Sequence, residues 1–336
     1  MSARLSLALE TGGLDLPDAG SLCVLHPRAG TDLTPLPMAR VRIVQPVRPD
    51  HDHFRDMGYD CAATAGPGHA AVLVCLPRSK MLARDLVARA CRLTDGPVIV
   101  DGAKTDGIDS LLRACRARVQ IAGPLAKAHG KVFWFAADSA AFADWLAPER
   151  QQVDGFVTAP GVFSADGIDP ASRLLAETLP AALGRHVVDL GAGWGYLSAQ
   201  LLQRATGLDR LDLVEADDIA LDCARANVDD SRARFHWADA TTWTPEARAD
   251  AVVMNPPFHT GRAADPALGR AFIAAAARML TPAGGLWLVA NRHLPYESAL
   301  SDLFAKVAET AGDGRFKVLH AIRPVRGRPT PSRTRR

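Results

Sequence analysis

Val187-Val188-Asp189-Leu190-Gly191-Ala192-Gly193-Trp194-Gly195-Tyr196 passes from an apolar strand through an acid into glycines at alternate positions, and then into a helical pattern. Glycines in such a turn adopt torsions closed to other residues and let the backbone approach a ligand, at the crevice where doubly wound sheets bind small molecules. The G-x-G-x-x-G dinucleotide fingerprint requires its third glycine where Tyr196 stands, so the spacing departs from the nicotinamide pattern. Working outward, His186 to Leu190, Leu211 to Glu215, Arg234 to Trp237, Ala251 to Met254, Gly285 to Ala290 and Phe316 to Ile322 read as strands. Ala171 to Leu179, Tyr196 to Ala205, Ile219 to Asn227 and Pro266 to Leu280 read as helices, the last stopped by an expected turn at Thr281-Pro282-Ala283-Gly284-Gly285. Alternation of this kind predicts a doubly wound, mostly parallel sheet covered by helices on both faces.

The first half repeats the alternation more faintly. Ala71 to Leu76, Pro97 to Val100 and Lys131 to Phe135 read as strands, and Met81 to Arg92, Gly107 to Arg116 and Ala140 to Leu146 as helical. No glycine-rich turn follows its first strands, so nothing in it advertises a nucleotide pocket. The expected organisation is an α/β domain over residues 1–150, a second over 151–322, and a tail over 323–336. Residues 151–322 carry 15 basic and 21 acidic side chains, whereas the tail carries six arginines and no acid, interleaved with Pro and Gly. Such a tail is expected to be disordered and able to contact phosphates.

The net charge of +2 identifies no partner by itself. No apolar run approaches the ~20 residues needed to cross a bilayer, so no membrane role is expected. Met1-Ser2-Ala3-Arg4 does not open an export signal, which makes cytoplasmic residence the expectation. Cys23, Cys61, Cys75, Cys91, Cys115 and Cys223 form no CxxC pair and have no histidine at ligand spacing, so buried thiols are expected rather than a metal site.

Asn255-Pro256-Pro257-Phe258 follows the apolar run Ala251 to Met254 directly. The two prolines cannot donate ladder hydrogen bonds, so the strand must stop there and hand an amide to a rigid loop. Asn255 offers a side-chain oxygen and Pro256 a carbonyl, a pair of acceptors suited to one exocyclic amine. Glu215 ends the strand after Gly191 and Asp239 follows the next one, where a carboxylate can take ribose hydroxyls or an adenine amine.

With these residues in place, the second half resembles a class I S-adenosylmethionine-dependent methyltransferase. More closely, it resembles the bacterial ribosomal RNA guanine-N2 methyltransferases of the small-subunit type. The matching stretches are Gly161-Val162-Phe163-Ser164, Gly167-Ile168-Asp169 with Ser172 to Leu175, Gly191 to Gly195, and Asn255 to His259; Val289 to Tyr296 and Gly314 to Val318 extend them. Leu76 to Lys80 and Asp101 to Gly107 carry a weaker likeness to that family's leading, degenerate methyltransferase-like domain. Asp169-Pro170-Ala171-Ser172 departs from the family, which usually has a glycine before the serine.

The resemblance implies two Rossmann-like methyltransferase-type domains, the first degenerate and serving RNA binding or support, the second seven-stranded and catalytic. It implies S-adenosylmethionine as cofactor and ribosomal RNA or a ribosomal subunit as partner, with no metal; oligomeric state is left open, a monomer being the simpler expectation. Gly191 and Gly193 would pass close to the methionine part, with Asp189 holding the turn or the amino group. Glu215, with Ala216 beside it, would take the ribose hydroxyls, Asp239 and Ala240 the adenine, and Phe163 and Ser164 the entrance. Asn255 and Pro256 would grip the amine of a guanine stacked on Phe258. Alternatives are a methyltransferase for large-subunit guanine, adenine or glutamine, and a non-catalytic RNA-binding assembly factor.

Overall fold

The computed structural model describes residues 2–11, 13–257 and 266–325. Phe258, His259 and the tail beyond residue 325 lie outside them. The chain divides into two compact units, one from residue 1 to Gln151 joined by Ala159–Gly161, the other Gln152–Thr158 with Val162 onward.

The first unit holds strands β1 (Leu22–Leu25), β2 (Val41–Val44), β3 (Asp60–Ala62), β4 (Ala71–Cys75), β5 (Pro97–Ala103), β6 (Ala122–Lys127) and β7 (Gly130–Ala136) in the order β3-β2-β1-β4-β5-β7-β6. The first five run parallel, and β7 and β6 add antiparallel pairs. Its helices are α1 (Ser2–Glu10), α2 (Arg48–Asp56), α3 (Lys80–Leu93) and α4 (Ile108–Arg116). Because side chains alternate across a strand, Val72, Val74, Val98 and Val100 join one apolar cluster. Ala71, Leu73 and Ile99 join another with Leu5 and Phe54. The helix expected over Ala140 to Leu146 is only a 3₁₀ turn, Ala143–Trp145. Phe142 and Trp145 there pack on each other at 4.9 Å between ring centroids, and packing rather than helical periodicity fixes that segment.

A short pair, β8 (Gln151–Val153) and β9 (Phe156–Thr158), precedes the second sheet in the chain. That sheet, in the second unit, contains β10 (His186–Leu190), β11 (Arg210–Glu215), β12 (Ala233–Trp237), β13 (Ala249–Met254), β14 (Leu280–Asn291), β15 (Phe304–Gly312) and β16 (Phe316–Pro324), in the order β12-β11-β10-β13-β14-β16-β15. Strands β10 to β14 are parallel; β16 runs antiparallel to both β14 and β15. Helices α5 (Pro170–Thr178), α6 (Tyr196–Arg204), α7 (Asp218–Asn227), α8 (Pro266–Met279) and α9 (Tyr296–Leu303) cover it. Val188, Val252 and Leu288 face α8 and α9, while Val187, Ala251 and Val289 face α5, α6 and α7. The fold is therefore α/β with two seven-stranded, mostly parallel sheets of one topology. The turn expected at Thr281 to Gly285 is instead part of β14, and neither Gly284 nor Gly285 adopts a positive φ. These glycines serve close approach: a Cβ would stand 3.0 Å from the Asp250 carbonyl oxygen at Gly284 and 3.0 Å from His320 Nε2 at Gly285.

The six cysteines are free, and all but half-buried Cys61 are buried. Among the described residues no helix is long and apolar enough to cross a membrane, and no cluster of His, Cys, Asp and Glu suits a metal ion.

Candidate active site

Strands β11, β10 and β13 are parallel neighbours, with Asp189 level with Leu213 on one side and Val253 on the other. Whatever follows each strand therefore emerges at one edge of the sheet, and there the glycine turn meets Glu215 and Asn255. The Gly191 and Ala192 amides both donate to the Val214 carbonyl, at 2.8 and 3.1 Å, which stitches the turn to β11. Gly191, Gly193 and Gly195 have φ of 83°, 56° and 89°, the left-handed region that favours glycine. A Cβ at Gly193 would meet nothing within 4 Å; one at Gly195 would stand 3.2 Å from Ala224 and Val228. The first leaves room for a ligand, and the second lets α7 close on the turn.

Glu215 ties this turn to the next strand. Its carboxylate accepts from Gly193 N at 2.7 Å through one oxygen and from Asp217 N at 2.8 Å through the other. Burial pushes the carboxyl above its usual range, against those backbone donors. Asp189 is fully buried beneath the turn; Ser198 Oγ donates to Oδ2 at 2.7 Å, and Oδ1 has no hydrogen-bond partner among the described residues. Burial first, then the Glu215 charge, lift Asp189 to about 7. Asp217 caps α7 by accepting from Ile219 N at 3.0 Å, and burial with the Glu215 charge lifts it to about 7 as well.

Asn255 stands at the end of β13 facing the start of α5. Its Nδ2 donates to Asp169 Oδ2 at 2.9 Å and to Ser172 Oγ at 2.8 Å. Asp169 is also the N-cap of α5, accepting from Ser172 N at 2.8 Å, with Pro170 in the first turn, where its missing N–H costs nothing. The entrance segment precedes it. Trp194 Nε1 donates to the Phe163 carbonyl at 3.0 Å, Phe163 is 60% exposed, and Ser164 takes φ of 52° while its hydroxyl donates to the Gly167 carbonyl at 2.7 Å.

A cleft of about 380 Å³, part of it open to solvent, is lined by Phe163, Ser164, Gly191, Gly193 and Asn255, together with Asp169, Ser172, Ala192, Trp194, Tyr196 and Leu197. The sequence thus brings five of its candidate residues to one space. The others stand apart from the lining. Asp189 lies under the turn, and Glu215 reaches it through Gly193. The Ala216 carbonyl accepts from Trp237 Nε1 at 2.8 Å, and Ala240 is buried in the core. Asp239 Oδ1 is turned onto its own loop, accepting from Thr241 N at 2.8 Å and Thr241 Oγ at 2.7 Å, the local capping that a short acid before threonine favours. Pro256 is buried beside Asn255, and Phe258 lies outside the described residues. Two lining residues absent from the candidate set, Asp169 and Ser172, carry a visible sequence signal: acid, proline and serine at a helix start.

Arg292 and Lys317, basic residues of the matched stretches that the sequence offers as phosphate contacts or solvated side chains, are each paired with an acid. Arg292 pairs with Glu309 at 2.9 Å, and Lys317, almost fully buried, with Glu297 at 2.5 Å.

A glycine turn behind the central strand, an acid ending the next strand and an asparagine ending β13 thus gather at one edge of the parallel sheet. The family described as "Methyltransferase small domain" matches residues 154–320. The ribosomal RNA small subunit methyltransferase C of Idiomarina loihiensis is 30% identical over 318 residues, covering 90% of this chain and 93% of the relative. The ribosomal RNA large subunit methyltransferase G of Shewanella amazonensis is 32% identical over 268 residues, covering 75% and 69%. The structure of the T. thermophilus 16S rRNA N2 G1207 methyltransferase in complex with AdoMet and guanosine aligns with TM-score 0.76 and 25% identity, over 92% of this chain and 90% of that one. The chain belongs to this family of class I ribosomal RNA methyltransferases.

Proposed function

We propose that this protein methylates the exocyclic N2 amine of a guanine in ribosomal RNA, with S-adenosylmethionine as methyl donor, and that it works on the small subunit in the cytoplasm. The observation that carries the reading is that Asn255 and the Gly191–Gly193 turn line one cleft, with both amide protons of Asn255 already committed to Asp169 and Ser172. An amide so held can engage a substrate only as an acceptor, through Oδ1.

The glycine turn has room for the cofactor. The open space at Gly193 is where a ligand would pass, and Glu215 stands one hydrogen bond away from the same residue. When bound, S-adenosylmethionine supplies an electrophilic methyl group on a sulfonium. Gly191 and Gly193 would hold its methionine part, Glu215 and Ala216 its ribose, and Asp239 and Ala240 its adenine, with Asp189 bracing the turn from below. Phe163 and Ser164 would close the entrance.

The lone pair of guanine's amine is delocalised into the ring, so the amine is a poor nucleophile. Asn255 Oδ1 and the Pro256 carbonyl would each accept one of its hydrogens, allowing the nitrogen to pyramidalise toward the donor. Phe258 would stack on the base, which must leave its helix or already be unpaired to enter. Nothing in this step calls for a strong base, since the ammonium-like product loses a proton to water readily.

Radiolabelled methyl transfer to separated small subunits, large subunits, free ribosomal RNAs and release-factor protein tests the substrate. The large-subunit relative makes the second subunit a necessary arm. Label in small-subunit guanine supports the proposal, and label confined to large-subunit RNA or to protein would replace its substrate.

A further inference from the structure

The side chain of Asp169 does two things through one oxygen. Oδ2 accepts from Ser172 N at 2.8 Å, capping α5, and from Asn255 Nδ2 at 2.9 Å. The second proton of the amide goes to Ser172 Oγ at 2.8 Å. Asp169 Oδ2 is an acceptor, already taking the Ser172 N–H, so the end of the amide that meets it must be the nitrogen. Turning Asn255 by half a rotation would set its oxygen against the carboxylate, acceptor against acceptor. The two ends of an amide have nearly the same shape and opposite hydrogen-bonding character, so this contact decides what the cleft offers a base.

We propose that Asp169 and Ser172 are positioning residues that fix which end of the Asn255 amide faces the cleft, so that the pocket receives a base donating hydrogens there and turns away one offering a carbonyl oxygen. The inference rests on the reading of Asn255 as the acceptor for the substrate amine. The same acid starts the helix and orients the amide, so the start of α5 and the reactive end of β13 are set by one group.

Substitutions at 169 separate the two duties. Asp169→Asn keeps an oxygen able to accept from both Ser172 N and Asn255. Asp169→Ser keeps a good helix cap but is too short to reach the amide. Each variant is measured, with Ser172→Ala and Asn255→Ala, for melting temperature, for S-adenosylmethionine affinity by calorimetry, and for single-turnover methyl transfer to the RNA substrate. Asp169→Ser is expected to melt and to bind cofactor as the parent does while transferring ~10- to 100-fold more slowly, the scale of a misplaced reacting group. Asp169→Asn is expected to restore most of that rate, and Ser172→Ala to lose less than Asp169→Ser.

Asp169→Ser transferring at the parent rate while Asn255→Ala is inactive would overturn the positioning role and leave only a helix cap. Asp169→Asn losing cofactor affinity in proportion to rate would overturn it too, assigning the acid to the cofactor's charge. If Asn255→Ala itself transfers at the parent rate, the reading of Asn255 falls, and the inference with it.

Discussion

Gly193 and Gly195 stand two positions apart in one turn and carry different burdens. Both have positive φ, but a Cβ at Gly193 points into open space and one at Gly195 presses on Ala224 and Val228. Gly193→Ala should therefore cost only the left-handed strain, about 1–2 kcal/mol, while S-adenosylmethionine affinity in calorimetry falls at least about tenfold, since ~1.4 kcal/mol of lost contact suffices. Gly195→Ala should lower the melting temperature further, because strain and overlap add. Equal melting temperatures for the two would contradict the assignment.

Asp189 makes a pH prediction. Burial raises it to about 7, as it does Asp217, against about 3.9 in an unfolded chain. Between those values the folded protein holds more protons than the unfolded one. The contribution of each group is full below the unfolded value and is lost as pH rises through the folded one, at about 1.4 kcal/mol per pH unit per group. Denaturant unfolding should show less stability at pH 8 than at pH 5.5, with a shallower fall in Asp189→Asn. An unchanged slope in that variant would contradict the burial argument. Asp212 works in the opposite direction. Burial would raise it, but hydrogen bonds from His186, His236 and Arg210 outweigh that and hold it well below the carboxylate range, so its contribution is lost only under acid conditions.

At the scale of elements, the central strands β10, β11 and β13 of the second sheet were legible because they are largely buried and read as mostly apolar runs. His186–Leu190 and the start of α6 at Tyr196 fell where the residues place them. β15 was not legible: Phe304–Gly312 is a mostly exposed edge strand, with no apolar run to mark it. The Thr281–Gly285 segment misled because glycine serves close packing as well as turns, and only the neighbouring strand distinguishes the two. The first unit hides its ties in the same way, since Arg4 of α1 reaches Asp101 of β5 from the far end of the sequence. That pair bonds at 2.6 and 2.9 Å and is nearly excluded from solvent. Arg4→Ala leaves a buried carboxylate unpaired and should cost about 3–5 kcal/mol, read as early melting. A loss below about 1 kcal/mol, the scale of an exposed ion pair, would contradict the burial of this pair.

At the scale of the molecule, one topology appears twice with unequal equipment. In the first sheet β1 is followed by His26-Pro27-Arg28 and β4 by Leu76-Pro77-Arg78, where the second has the Gly191 turn and Asn255-Pro256-Pro257. Calorimetry should therefore give one S-adenosylmethionine per chain; a stoichiometry of two would assign a pocket to the first unit as well. Within the candidate site, the glycines and Asn255 were readable because each departs from what a strand or helix requires, whereas Phe163 and Ser164 were reached only through the family resemblance. Asp169 and Ser172 stood only among the stretches that match the family, with no role read for them, since their bonds to Asn255 cross more than 80 residues of chain.

The most direct measurement incubates unmodified ribosomal RNA with the purified protein and S-adenosylmethionine carrying a deuterated methyl group, then digests the RNA and weighs its nucleosides. Deuteromethyl label is expected in N2-methylguanosine with the parent protein, and its loss with Asn255→Ala. Label in another nucleoside, or label that survives the substitution, would contradict the proposed function.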